Sequence, residues 1–453
     1  MGHARPEPAM SQARRLLERY VPPGALLLAT LTFASYAMGL VRDRTFARTF
    51  GAGPELDAYN AAFVLPELLL DVLVASGLTA PFVPIYARLA AHTREEAEAF
   101  ARTVLTAASG LMLVVALVLF LVAPATTALI APGFKGDQAD RYVDLFRLMC
   151  ITPAIFAASI ALGEVLVAER RFLWYALAPI LYNAGIVGGT ALLGDQLGIR
   201  AAALGTVAGA LLHLGIRLVG ISRTDFRLRP LFSVRTAAFR EFIRLMLPKM
   251  AAHPIEPLIF LFFTQLATTL GAGTVSSLSF ARNFQSVPVS LVGVAFSLAV
   301  FPTLSAAAAR SDRAEFVRTL RHNLLTIGGL SVVAAVGLAL VGGSAIRILL
   351  GGGAFDEAAA VRTSTLLAAF AVSVPFDALA HPLARAFYAT RNTIWPVLAS
   401  IASLVVIVAA TSALVPGLGM VAIPLGFALG AATKVVILAA VLPARLRRLS
   451  PTV

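Results

Sequence analysis

The sequence predicts an all-α protein that crosses a membrane many times. Of its 453 residues, 58% are hydrophobic and only 13% are charged, whereas about a quarter of the residues in soluble domains are charged. The apolar residues form runs of about 20 or more, the length at which an α-helix crosses roughly 30 Å of hydrocarbon. Basic residues gather between alternate runs, as they do where they set the orientation of a membrane protein.

Twelve apolar segments are long enough to span a bilayer. They cover residues 24–42, 58–86, 103–130, 142–167, 173–194, 200–222, 244–270, 275–306, 320–346, 359–388, 393–415 and 419–443. The first is followed by many others and has no small-residue cleavage site, so we expect a retained helix rather than a signal peptide.

The connections between the segments alternate in charge. One side receives the arginines before the first segment and those at 88–102, 170–171, 223–240, 310–321, 391 and 445–448. The other side is balanced or uncharged, except at 43–57, whose arginines need a purpose other than topology. The positive-inside rule therefore predicts that both termini are cytoplasmic.

Four residue pairs repeat along the chain at an offset of 221 or 222 residues. They are Pro66 and Pro288, Pro81 and Pro302, Pro153 and Pro375, and the two tryptophans, Trp174 and Trp395. A constant offset indicates duplication of a six-helix unit. Because six is even, the repeats are parallel and related by a pseudo-two-fold axis along the membrane normal. We predict an N-terminal lobe at 1–222, an amphipathic cytoplasmic linker at 223–243 and a C-terminal lobe at 244–453.

The residues at 232–248 interleave apolar and basic side chains. This pattern favours an amphipathic helix at the membrane interface that leads into the seventh segment. A plain cytoplasmic loop is the alternative.

No enzyme signature is present. The sequence has no Walker phosphate loop, no HExxH and no GxSxG in a strand–turn–helix setting. Its single cysteine, Cys150, excludes a cysteine metal cluster, and its six histidines lack metal-ligand spacing. The net charge of +13 lies mostly between apolar runs, which points to lipid headgroups rather than nucleic acid. We therefore predict a non-enzyme with no cofactor, no metal and no nucleic-acid partner.

Arginines inside or beside the apolar segments are the candidate ligands for an anionic substrate. An arginine at the bilayer centre costs about 2.5–3.5 kcal/mol on insertion scales, so it must face water, pair or bind. Arg42, Arg48 and Arg282 are the candidates, because the planar guanidinium suits pyrophosphate. Snorkelling to the interface is the alternative for each.

Several stretches resemble the MviN/MurJ family of lipid II flippases. They are GLVRDRTFARTFGAGPELDAYNAAFVLPELL at 39–69, APGF at 131–134, APILYN at 178–183 and FQSVPVSLVGVAFSLAVFPTLS at 284–305. The family belongs to the multidrug/oligosaccharidyl-lipid/polysaccharide exporter superfamily. The resemblance implies two six-helix lobes in a V around a central cavity, in the bacterial inner membrane. It also implies alternating-access export of a lipid-linked pyrophosphate precursor of peptidoglycan to the outer leaflet, with substrate-binding residues at Arg42, Arg48, Asp57, Arg282 and Asn283.

Three departures from the family keep alternatives open. Leu70 and Asp71 stand where the family usually has two arginines, and the family's arginine of the eighth helix falls on Asn283, one place after Arg282. The family also has fourteen helices, whereas twelve are predicted here. The alternatives are a flippase for another lipid-linked oligosaccharide, a cation-coupled efflux carrier that depends on acidic residues, and a non-transporting scaffold. We expect a monomer in contact with membrane lipids, driven by membrane potential or an ion gradient.

Overall fold

The regular secondary structure in the part of the chain that the structure describes is almost entirely helical. A computed structural model describes residues 25–252 and 255–447, and the only non-helical pairing there is a bridge between Gly352 and Phe355. The described residues of each of the twelve predicted segments fall on helix, apart from short breaks. The prediction of an all-α polytopic protein is confirmed.

Nine helices lie before or within the linker. They are α1 (Ala25–Phe50), α2 (Pro54–Leu70), α3 (Ser76–His92), α4 (Arg94–Ile130), α5 (Asp137–Met149), α6 (Thr152–Ala168), α7 (Phe172–Leu197), α8 (Ile199–Ser222) and α9 (Ala237–Ala252). A π-helical turn (Asp71–Ala75) joins α2 to α3.

Eight helices follow in the second half. They are α10 (Ile255–Thr269), α11 (Thr274–Pro288), α12 (Ala295–Ala309), α13 (Arg313–Leu350), α14 (Glu357–Ala371), α15 (Val374–Ala389), α16 (Ile394–Leu418) and α17 (Ala422–Arg447). A second π-helical turn (Val289–Val294) joins α11 to α12, and a 3₁₀ turn (Gly419–Val421) precedes α17.

The count of twelve spans is not confirmed. In the described residues, eight helical stretches are long and apolar enough to cross a membrane, or nine if α14 and α15, bent by 44°, form one span. Helix α1 ends in a charged stretch that includes Arg42, Asp43, Arg44 and Arg48. The seventh predicted segment is divided between α9 and α10, on either side of the undescribed residues 253–254.

The backbone repeats at the offset that the sequence predicts. Residues with left-handed φ recur 221 or 222 positions apart: Gly51 (68°) and Gly273 (81°), Arg170 (57°) and Arg391 (54°), Gly198 (55°) and Gly419 (54°). The residues before α6 and α15, Ile151 and Ser373, are 222 apart and share φ −77° and ψ −23°. Both halves also carry a π-helical turn after the first proline of the repeat. The local geometry therefore supports duplication.

Contacts divide the chain into two compact units. Unit 1 comprises the described part of Met1–Arg42, with Leu69–Val118 and Leu148–Lys249. Its core joins α3, α4, α6 and the linker, with Phe82, Phe100 and Phe242 buried. Unit 2 comprises Asp43–Leu68, Leu119–Arg147 and the described part of Met250–Val453. Unit 2 thus contains parts of both sequence halves, and the lobe boundaries at 222 and 244 stay predictions.

The linker differs from its prediction in one respect. The amphipathic helix α9 begins at Ala237, five residues after the predicted start. Thr236 sets this start, because its hydroxyl accepts a hydrogen bond from the backbone N–H of Phe239 (3.3 Å), which is an N-cap arrangement.

A buried polar group joins α6 to α8 in unit 1. The Ser159 hydroxyl lies 2.7 Å from His213 Nδ1, and Arg217 Nη1 donates to the Ser159 carbonyl (2.5 Å). The Arg217 guanidinium also lies over the Tyr175 ring, 4.9 Å from its centroid. Gly163 leaves room for this arginine, because a Cβ there would collide with the guanidinium. A buried arginine is therefore accommodated among helices of one unit.

Glycines hold α7 and α8 in close contact. Gly185 and Gly189 of α7 face Gly205 and Gly209 of α8, and each pair has GxxxG spacing. A Cβ on Gly189 would lie 2.5 Å from the Gly205 Cα. Small residues at this spacing let membrane helices approach through their backbones.

We predict that Gly189→Val lowers the stability of the protein by about 1–3 kcal/mol, because the added side chain overpacks the α7–α8 contact. Thermal unfolding of the detergent-purified protein measures the effect. Gly188→Val is the control, because no atom lies within 4 Å of a Cβ at that position. Equal melting temperatures for the two variants would contradict this packing.

Candidate functional site

The predicted site residues lie on α1, α2 and α11. Arg42 is half-buried in unit 1. Its Nη1 donates to Oδ1 of Asn183 on α7 (3.2 Å), and Asn183 Nδ2 donates to the Pro179 carbonyl (3.0 Å). Asn183 is in the APILYN stretch, so this contact connects two of the stretches that carried the resemblance. A neutral amide thus orients the guanidinium of Arg42.

Arg48 lies in unit 2, beside the turn between α13 and α14. Its side chain is exposed, and a Cβ on Gly352 would lie 3.1 Å from its Nη2. Its carbonyl accepts a hydrogen bond from the backbone N–H of Ala354 (2.9 Å). The two arginines that the resemblance groups together therefore belong to different compact units, and their shared role as substrate ligands stays a prediction.

Arg44, which the sequence analysis did not single out, stabilises the end of α13. Its Nη1 donates to the carbonyls of Ile348 (3.0 Å) and Leu349 (2.6 Å). The last carbonyls of a helix have no partner within the helix, so a basic side chain there is stabilising. This contact gives Arg44 a purpose other than topology.

Asp57 is almost completely buried and caps α11. Its carboxylate accepts hydrogen bonds from the Gly273 N–H (2.5 Å), the Ser276 N–H (2.8 Å) and the Ser276 hydroxyl (2.5 Å). A carboxylate satisfies the free N–H groups at a helix start and opposes the helix dipole. The structure thus gives Asp57 a capping role, and substrate binding by it stays a prediction.

Asn283 and Arg282 make contacts in different directions. Asn283 Nδ2 donates to Oδ2 of the buried Asp43 on α1 (2.8 Å). Arg282 Nη2 lies 3.4 Å from Glu256 Oε1 on α10, and its guanidinium is 3.2 Å from the centroid of the Phe260 ring. Neighbouring residues on an α-helix differ by about 100°, and α11 is regular here because its π turn begins only at Val289. Arg282 and Asn283 therefore point to different sides of α11.

Acidic side chains surround Arg282. Glu67 and Asp377, in addition to Glu256, lie within electrostatic reach of its guanidinium. Gln285 connects this region to the helix break before α15, because its Nε2 donates to Ser373 Oγ and to Asp377 Oδ2, each at 3.3 Å. Within residues 25–252 and 255–447, no group of three or more His, Cys, Asp or Glu side chains is placed to hold a metal ion.

We call the meeting place of α1 and α2 with α11, α13 and α14 the junction, and it lies within unit 2. Besides the contacts of Arg44, Asp57 and Asn283, it includes a hydrogen bond from Arg362 Nη2 to the Ala52 carbonyl (2.9 Å). Glycines bring the backbones together: a Cβ on Gly273 would collide with the Ala52 carbonyl, and one on Gly51 with the Ala354 carbonyl. Both glycines also have positive φ, which other residues adopt at a cost. The junction joins segments from both sequence halves.

Comparison with known proteins decides the family. The family model described as lipid II flippase MurJ matches residues 46–452. This range includes the whole junction except Asp43 and Arg44. The chain belongs to this family. The members of this family are transporters, so the prediction of a non-enzyme is confirmed. The alternative of an efflux carrier is not favoured.

Individual relatives agree. A probable lipid II flippase MurJ from Thermotoga maritima is 30% identical over 373 residues, which are 82% of this chain and 74% of the relative. The lipid II flippase MurJ of Burkholderia cenocepacia is 26% identical over 415 residues, covering 90% of this chain and 80% of the relative. Membership of this family confirms the prediction of a multi-pass protein of the bacterial inner membrane.

Solved structures share the fold. A lipid II flippase MurJ in an inward closed conformation matches with a TM-score of 0.80 at 23% identity, covering 94% of this chain and 90% of that one. An inward-facing MATE-family multidrug transporter of the MOP superfamily matches with a TM-score of 0.77 at 15% identity, covering 92% and 95%. These similarities confirm the predicted fold.

We predict that Asp57→Ala lowers the stability of the protein by about 1–3 kcal/mol, because buried donors at the start of α11 lose their acceptor. Thermal unfolding measures the loss. The control is Glu55→Ala: Glu55 pairs with Arg141 at 2.9 Å, both side chains are well exposed, and such pairs contribute about 0–1 kcal/mol. If both variants melted at the wild-type temperature, Asp57 would not be the cap that holds the junction.

Proposed function

We propose that this protein flips lipid II, a lipid-linked pyrophosphate precursor of peptidoglycan, from the inner to the outer leaflet by alternating access. The observation that carries the proposal is the family match over residues 46–452. The function of the relatives, as their names give it, agrees with the arginines of α1 and α11, whose chemistry suits a pyrophosphate.

Arg42 and Arg48 are the arginines that we propose to bind the pyrophosphate, and Arg282 is a third. Each guanidinium presents several N–H donors in a plane, so it binds two phosphate oxygens at once. The Asn183 amide supports this role for Arg42, because its oxygen accepts a hydrogen bond from Nη1 and so holds one edge of the guanidinium. Phe260 supports it for Arg282, because a ring below a guanidinium restricts its rotation while leaving the edges for hydrogen bonds.

Asp57 and Asn283 receive a different role in this proposal. Their side chains are engaged with Ser276 and Asp43 in the junction. We propose that they position α11 and α1 and act on substrate only through the arginines that these helices carry.

The junction supports an alternating-access mechanism. Its contacts include hydrogen bonds and short backbone approaches between segments of the two sequence halves. A proline and a π-helical turn follow one another in each half, at Pro66 and at Pro288. Prolines and π turns are the places where membrane helices bend. We propose that the two bends accompany opening of the junction.

Orientation and energy source complete the proposal. Both termini lie in the cytoplasm, the protein acts as a monomer, and membrane potential or an ion gradient drives transport. The turns with positive φ fit this orientation: on the side proposed to face outward they are glycines, whereas Arg170, Ser311 and Arg391 occupy them on the cytoplasmic side. The arginines at these cytoplasmic turns agree with the positive-inside rule.

We predict that Arg42→Ala and Arg48→Ala each weaken binding of undecaprenyl pyrophosphate about 10–100-fold, because a hydrogen bond to a charged group contributes about 1.5–3 kcal/mol. Native mass spectrometry of the purified protein measures binding, and growth of flippase-depleted cells measures transport. Arg42→Lys should bind with intermediate strength, since it keeps the charge but loses the planar fork. Arg347→Ala is the control, because Arg347 forms an exposed pair with Glu357. Wild-type growth and binding in both alanine variants would exclude the proposed site.

We predict opposite labelling of two single-cysteine variants, made in a Cys150→Ala background. A membrane-impermeant maleimide should label Gln196→Cys in intact cells and Thr393→Cys only after permeabilisation, because the positive-inside rule places these exposed residues on opposite sides. Unmodified Cys150→Ala protein is the control for background labelling. The reverse pattern would invert the proposed orientation.

A further inference from the structure

The segment at 223–247, between α8 and the change from unit 1 to unit 2, separates its charges by sign. It contains six arginines and two acidic residues. Both acids bind arginines outside the segment. Asp225 Oδ2 lies 3.4 Å from Arg94 Nη1, and Glu241 accepts two hydrogen bonds from Arg88, at 3.0 and 2.5 Å. The Arg88 guanidinium also lowers the pKa of Glu241, mainly through this hydrogen bonding, so the carboxylate stays ionised at neutral pH.

Apolar contacts fix the same segment to unit 1. Phe239 and Phe242 of α9 are buried, and the Phe242 ring meets the Phe100 ring of α4 edge-on, with centroids 5.7 Å apart. The Leu231 N–H donates to the Thr106 hydroxyl (3.2 Å). The segment therefore presents a defined outer surface.

That outer surface carries both exposed arginines and exposed large apolar side chains. All six arginines of the segment are exposed: Arg223, Arg227, Arg229, Arg235, Arg240 and Arg244. Four large apolar side chains between or beside them are exposed by 47–69% of their area: Leu228, Phe232, Leu245 and Leu247. Arg223 also lies over the ring of Trp174, 5.7 Å from its centroid, and tryptophan is enriched at membrane interfaces.

We propose that this linker surface is a binding site for anionic phospholipid headgroups. The arginines contact lipid phosphates, and Leu228, Phe232, Leu245 and Leu247 enter the boundary between headgroups and acyl chains. Basic residues beside apolar side chains are the pattern by which interfacial helices bind anionic membranes.

A lipid fits this surface better than a nucleic acid or an acidic protein segment. The segment is continuous with α8, a membrane-spanning helix on its N-terminal side, so a bilayer surface is adjacent to it. The exposed Phe232 side chain, 69% accessible, gains from transfer to an acyl boundary and gains nothing from a soluble polyanion. The inference concerns the bilayer and does not depend on which lipid-linked substrate is transported.

The test uses the full-length protein in nanodiscs of phosphatidylcholine with or without phosphatidylglycerol. Native mass spectrometry gives the preference for phosphatidylglycerol among the lipids that remain bound. Combined substitution of Arg227, Arg229, Arg240 and Arg244 by Gln should reduce that preference, on the order of fivefold for each arginine. Salt should weaken the preference of the wild type, since the contacts are electrostatic.

A charge-matched control separates this site from general basicity. Substitution of Arg310, Arg313, Arg318 and Arg321 by Gln removes the same charge from the second half and should leave most of the preference intact. Phe232→Ser, which keeps every charge, should lower it. Equal losses in the two four-arginine variants, or an unchanged preference in the linker variant, would overturn the proposal. So would full competition by inositol hexakisphosphate together with no effect of Phe232→Ser, because the occupant would then be a soluble anion.

Discussion

The buried carboxylate of Asp57 is the interaction on which the rest of the junction depends. The Asp57 residue is 1% exposed, and a buried charge is tolerated only where donors surround it. Gly273, just before α11, supplies one donor and Ser276, in its first turn, supplies two. The residues involved lie more than 200 positions apart, so this cap joins the two sequence halves directly. Arg362 completes the arrangement by donating to the Ala52 carbonyl between α1 and α2. Polar groups at helix ends thus satisfy each other's hydrogen bonding across the two sequence halves.

Each half of the chain has the same irregular backbone features at equivalent positions. Its second membrane segment has a proline followed by a π turn, its fourth is interrupted before a proline, and its fifth begins after a residue with left-handed φ. The side chains, in contrast, have diverged. Ser159 in α6 is bonded to His213, whereas His381, 222 positions after Ser159, lies near Asp377 and Lys434. The two halves therefore share the positions of their bends but differ in the polar side-chain contacts between the bends.

Much of the fold could be predicted from the sequence, because apolar runs, arginine placement and proline spacing are local signals. The sequence shows the offset of 221 or 222 in four residue pairs. The structure shows the same offset in backbone angles, which no sequence pattern displays. The site was harder to predict. The family resemblance predicts that Asp57 and Asn283 bind substrate, and this stays a prediction. Their contacts with Ser276 and Asp43 could not be predicted, because these partners are distant in the chain. The capping role of Arg44 was missed for the same reason, since the carbonyls that it binds begin about 300 residues later.

The π-helical turns have a consequence for interpreting the helices that contain them. Each half carries one such turn between two prolines: Asp71–Ala75 lies between Pro66 and Pro81, and Val289–Val294 lies between Pro288 and Pro302. A π turn takes up an additional residue, which in a regular α-helix would rotate all later side chains by about 100°. The helical phase therefore restarts at residues 76 and 295. Side chains on the two sides of a turn that look aligned at a period of 3.6 residues point in different directions, so the lining of a transport path must be counted separately on each side.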